Sequence, residues 1–288
     1  MSDTSVVRQA HAKANLLLRI LSREADAYHG LETLFCRLEL ADTLTVTREE
    51  GSGVLIEIEG GDLGPAAENL AVRAAEAVLQ SLRSRFAVAI QLVKRIPVGG
   101  GLGGGSADAA AVLHAVNQLA GNAIPRAELF HLAARLGADV PFCLGEASLA
   151  LAWGHGERML ALPPLPAAPV LLVTPPVSIR TADAYGWLDQ ARAEPLRRGA
   201  LLLDQAALSA WSDVARMAGN DFESVVFARV PAVRSAFEAL AGTGPLLCRM
   251  TGSGSTLLAI YRTERERDDA KLTLGKKYGT VIATRTLP

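Results

Sequence analysis

The stretch Pro97–Ser106 constrains this chain more than any other, because six of its ten residues are glycine. Glycine brings no side chain to a core and costs backbone entropy on folding, so such a cluster needs another explanation. Residues 87–96 alternate in hydrophobicity as a half-buried strand does, and residues 107–120 carry apolar side chains at helical spacing. A strand, a glycine loop and a helix in this order favour a phosphate-binding loop, because a helix N-terminus presents unpaired N–H groups and a partial positive charge. A flexible turn is the alternative.

Composition narrows the classes of partner. The 29 basic and 30 acidic side chains nearly cancel, so charge gives no sign of nucleic acid or an anionic membrane surface as a partner. Residues 1–12 lack the apolar core of a signal peptide, and no apolar run is long enough to span a bilayer. The three cysteines are far apart and show no metal-binding spacing. We therefore expect a cytoplasmic protein with free thiols.

The order of the predicted elements indicates an α+β protein, because strands and helices are mixed without strict alternation. A length of 288 residues suits one large or two medium domains. The most proline-rich part of the sequence follows residue 162, and we place a domain boundary there. The predicted domains are residues 1–162, with the phosphate loop at 97–107, and residues 163–288.

The sequence around the glycines lacks features that three known types of phosphate-binding loop require. Gly99, Gly101 and Gly104 satisfy the dinucleotide-binding pattern, but that pattern needs a second parallel strand carrying an acid, and here a further helix follows instead. The Walker form requires a Lys directly after the glycines, which this chain lacks. The protein-kinase form requires downstream catalytic segments that are absent from the sequence.

The remaining pattern resembles the GHMP kinases, the family of galactokinase, homoserine kinase and mevalonate kinase. Three stretches resemble the three family signatures: AKANLLLRIL (12–21), PVGGGLGGGSA (97–107) and MTGSGST (250–256). Further stretches resemble members that act on a cytidine-diphosphate-linked methylerythritol in the non-mevalonate route to isoprenoids: YHGLETLF (28–35), ENL (68–70), LGADVPF (136–142) and GND (219–221). The resemblance implies a ribosomal-S5-like N-terminal domain, a ferredoxin-like C-terminal domain and an active site in the cleft between them.

The resemblance also implies a reaction and its catalytic residues. The γ-phosphoryl group of ATP would pass in line to the 2-hydroxyl of the substrate, with Mg²⁺ shielding the charge. Asp139 would accept the hydroxyl proton and Lys13 would be its electrostatic partner. Asn15, two residues after Lys13 on the same strand face, would orient the substrate, and Ser106 is a possible Mg²⁺ ligand. A turn aspartate and a strand-end lysine are the structural alternatives.

Residues that contact the two bases are carried over in the same way. Tyr28 would stack on the cytosine, His29 would recognise its edge, and Tyr185 would cover the opposite face. Asn69 and Lys94 would contact adenine, although helix capping and strand solvation explain them equally well. The predicted ATP-binding loop comprises Pro97, Val98, Gly99, Gly100, Gly101, Leu102, Gly103, Gly104, Gly105, Ser106 and Ala107.

Two other functions stay open at this point. Another GHMP kinase, acting on homoserine or a mevalonate derivative, would share the loop but would have no use for aromatic residues around a cytosine. A non-catalytic nucleotide-binding protein would have no use for both Lys13 and Asp139. The sequence leaves a monomer and a homodimer equally possible.

Overall fold

The computed structural model describes residues 4–23, 29–61, 63–83, 86–192 and 208–288. The strands are β1 (Ser5–Arg23), β2 (His29–Glu49), β3 (Val54–Glu59), β4 (Ala87–Val93), β5 (Leu149–Gly154), β6 (Arg158–Ala161), β7 (Pro169–Thr174), β8 (Gly219–Asn220), β9 (Leu247–Met250), β10 (Leu257–Ile260) and β11 (Thr280–Arg285). The helices are α1 (Leu70–Leu82), α2 (Gly104–Leu119), α3 (Arg126–Leu136), α4 (Val140–Leu144), α5 (Thr181–Ala191), α6 (Trp211–Met217), α7 (Glu223–Arg229), α8 (Pro231–Ala241) and α9 (Glu264–Leu274). This mixture confirms the predicted α+β class.

The chain forms two compact units that are discontinuous in sequence. The first unit comprises Met1–Lys13, Leu40–Val98 and Gly103–Glu146, and the second comprises Ala14–Glu39, Gly99–Leu102 and Ala147–Pro288. The long strands β1 and β2 therefore contribute residues to both units. The domain boundary predicted near residue 162 lies inside the second unit and does not coincide with the division into compact units. That boundary stays a prediction.

The first unit places a helical layer on a sheet. β3 runs parallel to β4, and β4 pairs antiparallel with Thr43–Glu49 of β2. The predicted alternation along β4 is confirmed, because Val88, Ile90 and Leu92 are all buried in the core. α1 packs on α2 over this core. This unit carries the start of α2 and therefore half of the glycine loop.

The strand β2, which contributes residues to both units, is long and uninterrupted. Hydrophobicity alternates over residues 33–40 and the alternation continues at Leu44 and Val46. β2 runs through both stretches, and through Asp42, without a break. Asp42 is completely buried, where its carboxylate bonds backbone N–H groups and a lysine ammonium. A buried carboxylate with these partners can occupy a strand interior that periodicity alone reserves for apolar side chains.

The second unit contains an antiparallel four-stranded sheet in the order β11-β7-β10-β9. Its central strand β7 is buried from Val170 to Val173, as expected for a strand covered on both faces. The apolar faces of α5, α7 and α8 contribute to the core of this unit. β5 pairs with Leu31–Cys36 of β2, and β8 pairs in parallel with β1. Within the described residues, no helix has both the length and the hydropathy to cross a membrane.

Candidate active site

Lys13 and Asp139 meet in the first unit. The Nζ atom of Lys13 lies 3.1 Å from Oδ2 of Asp139, and the lysine side chain is almost fully buried, whereas one third of the aspartate side chain is exposed. Asp139 occupies the N-cap position of α4, yet its side chain makes no capping hydrogen bond. The structure therefore contains the predicted pairing and argues against a purely capping role for Asp139.

The glycine loop leads directly into the helix that the sequence predicts. α2 begins at Gly104, earlier than the expected residue 107, because periodicity is read from side chains and glycines have none. Gly103 takes a left-handed conformation (φ 69°) at the N-cap, and no side chain caps the helix among the residues described. The N–H groups of the first turn have no carbonyl partner within the helix, so they can donate hydrogen bonds to an anion. Ser106 lies in the same turn.

Gly103 also brings the loop against Lys13. A Cβ atom at position 103 would lie 2.8 Å from Cγ and 2.9 Å from Cε of Lys13, closer than side chains tolerate. Absence of a side chain thus lets the end of the glycine loop pass over the lysine. The first turn of α2, Lys13 and Asp139 consequently form one polar site within the first unit.

Gly103→Ala is expected to lower turnover at least tenfold, because the new methyl group would displace Lys13 from Asp139 and strain the left-handed backbone. Steady-state kinetics would measure the loss. Gly121→Ala is the matched control, since Gly121 also has a positive φ (75°) but nothing lies within 4 Å of the place that its new methyl group would occupy. Turnover of Gly103→Ala within twofold of wild type would contradict this account of the loop.

The other half of the glycine loop belongs to the second unit. There it contacts residues 251–256 (TGSGST) between β9 and β10, which we call the second glycine loop. The Thr256 N–H donates to the Gly100 carbonyl at 3.3 Å, and the Thr251 hydroxyl donates to the Gly101 carbonyl at 3.3 Å. Cβ atoms at Gly100 and Gly101 would collide with Thr256 and Thr251 respectively. Glycine is therefore required at both positions for the two loops to approach each other this closely.

Asn15 is buried in the second unit among hydroxyl groups. Its Nδ2 donates to the Thr33 hydroxyl at 2.8 Å, and its backbone N–H donates to the Thr251 hydroxyl at 3.0 Å. The first bond connects β1 to β2, and the second connects β1 to the second glycine loop. The proposed contact of Asn15 with substrate stays a prediction.

His29 and Tyr185 come together in the second unit. Their rings stack with centroids 5.0 Å apart and planes inclined by 25°, and Nε2 of His29 lies 2.7 Å from Oδ1 of Asp189. Tyr185 also meets Phe222 edge to face. Tyr28, the other predicted stacking residue, lies outside the described residues. The second unit thus contains a stacked pair of aromatic rings in which the histidine is hydrogen-bonded to a carboxylate.

The two residues predicted to contact adenine both have protein partners in the first unit. The Asn69 side chain caps α1 by accepting from the Ala71 N–H at 2.9 Å. Nζ of Lys94 bonds the carboxylates of Asp42 and Asp108. Both adenine contacts stay predictions.

Two apolar residues of the predicted ATP-binding loop differ in exposure. Val98 is exposed and Leu102 is buried. The Leu102 side chain therefore packs inside the protein, whereas the Val98 side chain is open to solvent.

Sequence reasoning missed the carboxylates that surround these residues. Asp189 lies one helical turn after Tyr185, so helical spacing could have placed it on the same face. Asp108 closely follows the glycine loop, where its helix position is inferable. Asp42 is a charged residue at an apolar position of the β2 alternation, but no local pattern identifies its partner Lys94, which lies 52 residues away in sequence.

Comparisons with known proteins identify the family of this chain. The model of the GHMP kinases N terminal domain matches residues 69–146, and that of the GHMP kinases C terminal domain matches residues 202–280. The chain belongs to the GHMP kinases. This assignment confirms the predicted two-domain fold and makes the protein a kinase of a family that uses ATP.

Relatives and solved structures refine the similarity. The chain is 38% identical over 269 residues to a Solibacter usitatus protein named 4-diphosphocytidyl-2-C-methyl-D-erythritol kinase, covering 90% of this chain and 83% of the relative. A protein of the same name from Chlorobaculum tepidum is 40% identical over 257 residues, with 88% of each chain covered. A crystal structure of 4-(cytidine 5'-diphospho)-2C-methyl-D-erythritol kinase matches with TM-score 0.82 and 34% identity, covering 98% of this chain and 100% of the other.

More distant kinases share the fold alone. A homoserine kinase from Cytophaga hutchinsonii matches with TM-score 0.72 at 20% identity, covering 100% of this chain and 96% of that structure. The L. major mevalonate kinase matches with TM-score 0.74 at 12% identity, covering 100% of this chain and 99% of that structure.

Proposed function

We propose that this GHMP kinase transfers the γ-phosphoryl group of ATP to the 2-hydroxyl of 4-diphosphocytidyl-2-C-methyl-D-erythritol, giving the 2-phosphate and ADP. The observation that carries phosphoryl transfer is the pairing of Lys13 with Asp139 beside the glycine-capped start of α2. The choice of substrate is supported by the relatives of that name, which are 38% and 40% identical over most of their length. Such a reaction belongs to the non-mevalonate route to isoprenoids.

The proposed chemistry assigns a task to each group. Oδ2 of Asp139 faces Lys13, and the exposed part of the carboxylate accepts the proton of the substrate hydroxyl. The hydroxyl oxygen then bonds to the γ-phosphorus while the bond to the β-phosphate oxygen of ATP breaks. Lys13 and the first-turn N–H groups of α2 stabilise the negative charge that spreads over the transferring group. No covalent intermediate with the protein is required.

Magnesium fits this site as an ion carried by ATP. The described residues contain no cluster of three or more His, Cys, Asp or Glu side chains that could hold a metal alone. Mg²⁺ prefers oxygen ligands and commonly takes several of them from phosphates and water. Ser106, in the first turn of α2, would add a hydroxyl oxygen. When bound, the ion would neutralise charge on the phosphates.

Substrate choice is tested by ADP release on a panel of alcohols. We expect turnover with 4-diphosphocytidyl-2-C-methyl-D-erythritol and none above background with homoserine or mevalonate. The second candidate, a homoserine or mevalonate kinase, has support from shared fold alone, at 20% and 12% identity. Turnover of either of these two alcohols in place of the cytidyl substrate would overturn the proposal. ATP binding without turnover of any alcohol would indicate a non-catalytic nucleotide-binding protein instead.

Recognition of the cytosine gives a further test at Tyr185. Stacking of a base on an aromatic ring contributes about 1–3 kcal/mol, so Tyr185→Ala is expected to raise KM for the cytidyl substrate roughly 5- to 150-fold. KM for ATP should stay within twofold. Trp187→Ala on the same helix is the matched control, since Trp187 instead packs under the Arg229 guanidinium. Equal increases in both KM values for Tyr185→Ala would rule out a role specific to the cytidyl substrate.

A further inference from the structure

A buried cluster of charges connects the two ends of the glycine loop in the first unit. Nζ of Lys94 donates to Oδ2 of Asp42 and, at 2.7 Å, to Oδ2 of Asp108. The three side chains are at most 4% exposed. We call Asp42, Lys94 and Asp108 the clamp.

The clamp contacts the backbone on the upstream side of the loop. Oδ1 of Asp42 accepts hydrogen bonds from the N–H groups of Arg95 and Ile96, the latter at 2.8 Å. These two residues directly precede Pro97, where the glycine loop begins. Asp42 therefore fixes two consecutive peptide groups in the segment between the end of β4 and the glycine loop.

On the downstream side, the clamp reaches the start of α2. Asp108 lies just over one turn into this helix. A Cβ atom at Gly104 would lie 3.3 Å from Nζ of Lys94, so the lysine head group lies directly beneath the first helical residue. One ammonium group thus connects the residues before the loop with the helix end that offers N–H groups to an anion.

A contribution to the stability of the folded protein does not readily explain the clamp. Two carboxylates share one ammonium, and Oδ1 of Asp108 is buried without a hydrogen-bond partner among the described residues. Burial, together with the charge of Asp42, raises the pKa of Asp108 to about 7 although Lys94 opposes the shift. Buried ion pairs are often no more stabilising than apolar side chains of similar volume. The position of the clamp, at both ends of one loop, points to a geometric role.

We propose that the clamp residues Asp42, Lys94 and Asp108 are positioning residues, which hold the glycine loop and the first turn of α2 in the arrangement that receives the phosphates of ATP. This inference rests on the proposed function for its nucleotide. Lys94 acts through its two carboxylates and not on the adenine ring. The clamp and a direct adenine contact predict different results when the base of the nucleotide is changed.

Asp108→Ala is the principal test, because it removes one arm of the clamp while leaving Lys94 and Asp42 as a neutral pair. We expect Kd for ATP and KM for ATP to rise about tenfold, with KM for the alcohol substrate within threefold of wild type. Asp108→Asn keeps an acceptor for Lys94 and should restore KM for ATP to within threefold. Binding of ATP with Mg²⁺ is measured by calorimetry without the alcohol, so failure of the proposed substrate leaves this test readable.

Asn117→Ala is the matched control on the same helix. Asn117 is also buried and bonds the backbone of Ile124, but near the opposite end of α2. Unchanged ATP affinity in Asn117→Ala would support the clamp, because it would show that losing a buried polar side chain from α2 does not by itself weaken ATP binding. An equal loss in both variants, or unchanged affinity in folded Asp108→Ala, would overturn the clamp.

Lys94→Gln separates the clamp from an adenine contact. The clamp predicts that affinity for ATP and for GTP falls by the same factor, since the phosphates are identical. A direct contact with adenine predicts a selective loss for ATP. A change of more than threefold in the ratio of the two affinities would overturn the proposal for Lys94, and an unchanged ratio with weaker binding of both nucleotides would support it.

Discussion

Asp139→Asn is expected to lower kcat by about 10²–10⁴, because general-base catalysis typically contributes that factor and an amide cannot accept the hydroxyl proton. The amide keeps the shape of the carboxylate and can still accept a hydrogen bond from Lys13, 3.1 Å away in the wild type. Affinity for ATP should therefore stay within threefold. Steady-state kinetics and calorimetric ATP binding measure the two quantities.

The control for this prediction is a carboxylate outside the site. Glu146→Gln makes the same chemical change in the first unit at a side chain that is 90% exposed, and we expect wild-type kinetics for it. A double variant, Asp139→Asn with Lys13→Met, should lose less than the product of the two single losses, because residues acting on one transferring group are not additive. A kcat of Asp139→Asn within threefold of wild type would remove Asp139 from the role of base.

Local sequence pattern is sufficient to predict the loop and its flanking elements. Alternation along residues 87–96 and helical spacing after residue 107 predict β4 and α2 on either side of the glycines. The predicted start of α2 is three residues late because Gly104 and Gly105 carry no side chain from which to read a period. The start of α2 is set by the backbone, at the left-handed residue Gly103, and hydrophobic periodicity does not report backbone conformation.

Pairings between distant residues follow a different rule. Lys13 and Asp139 are paired through a family resemblance, since the two residues lie on separate elements and no spacing connects them. His29 and Asp189 meet across 160 residues, and no local pattern could have joined them. Such contacts arise when tertiary packing brings chain segments together, and single-sequence periodicity reports one element at a time.

Asp42 shows how a failed pattern can itself be informative. Asp42 is a charged residue at a position where the alternation of β2 calls for an apolar side chain, and the strand nevertheless continues through it. Burial of this carboxylate is possible because the Lys94 ammonium offsets its charge and two backbone N–H groups donate hydrogen bonds to it. A charged residue on the apolar side of a strand is therefore a reason to search for a buried partner of opposite charge.

Lys94→Met is expected to reduce the free energy of unfolding by about 3–5 kcal/mol at pH 8.5, since removal of one partner leaves a buried charge uncompensated. Here two carboxylates would be left, those of Asp42 and Asp108, which are almost fully buried. Met has a similar length and no charge, so the loss reports electrostatics more than packing. Urea unfolding measures it, and Lys276→Met, at an exposed lysine, is the matched control.

The same variant should be less destabilised in acid. Burial raises the pKa of Asp108 to about 7 in the wild type, and both influences that lower it come from Lys94, so the substitution raises this pKa further. A carboxyl group whose pKa is higher in the folded than in the unfolded state loses stability as pH rises through the folded value. At pH 5.5 the protonated Asp108 carries no charge, and we expect the destabilisation to shrink by at least about 1.4 kcal/mol, the equivalent of one pKa unit. Equal destabilisation at pH 5.5 and 8.5 would mean that repulsion between these carboxylates does not govern the stability of the variant.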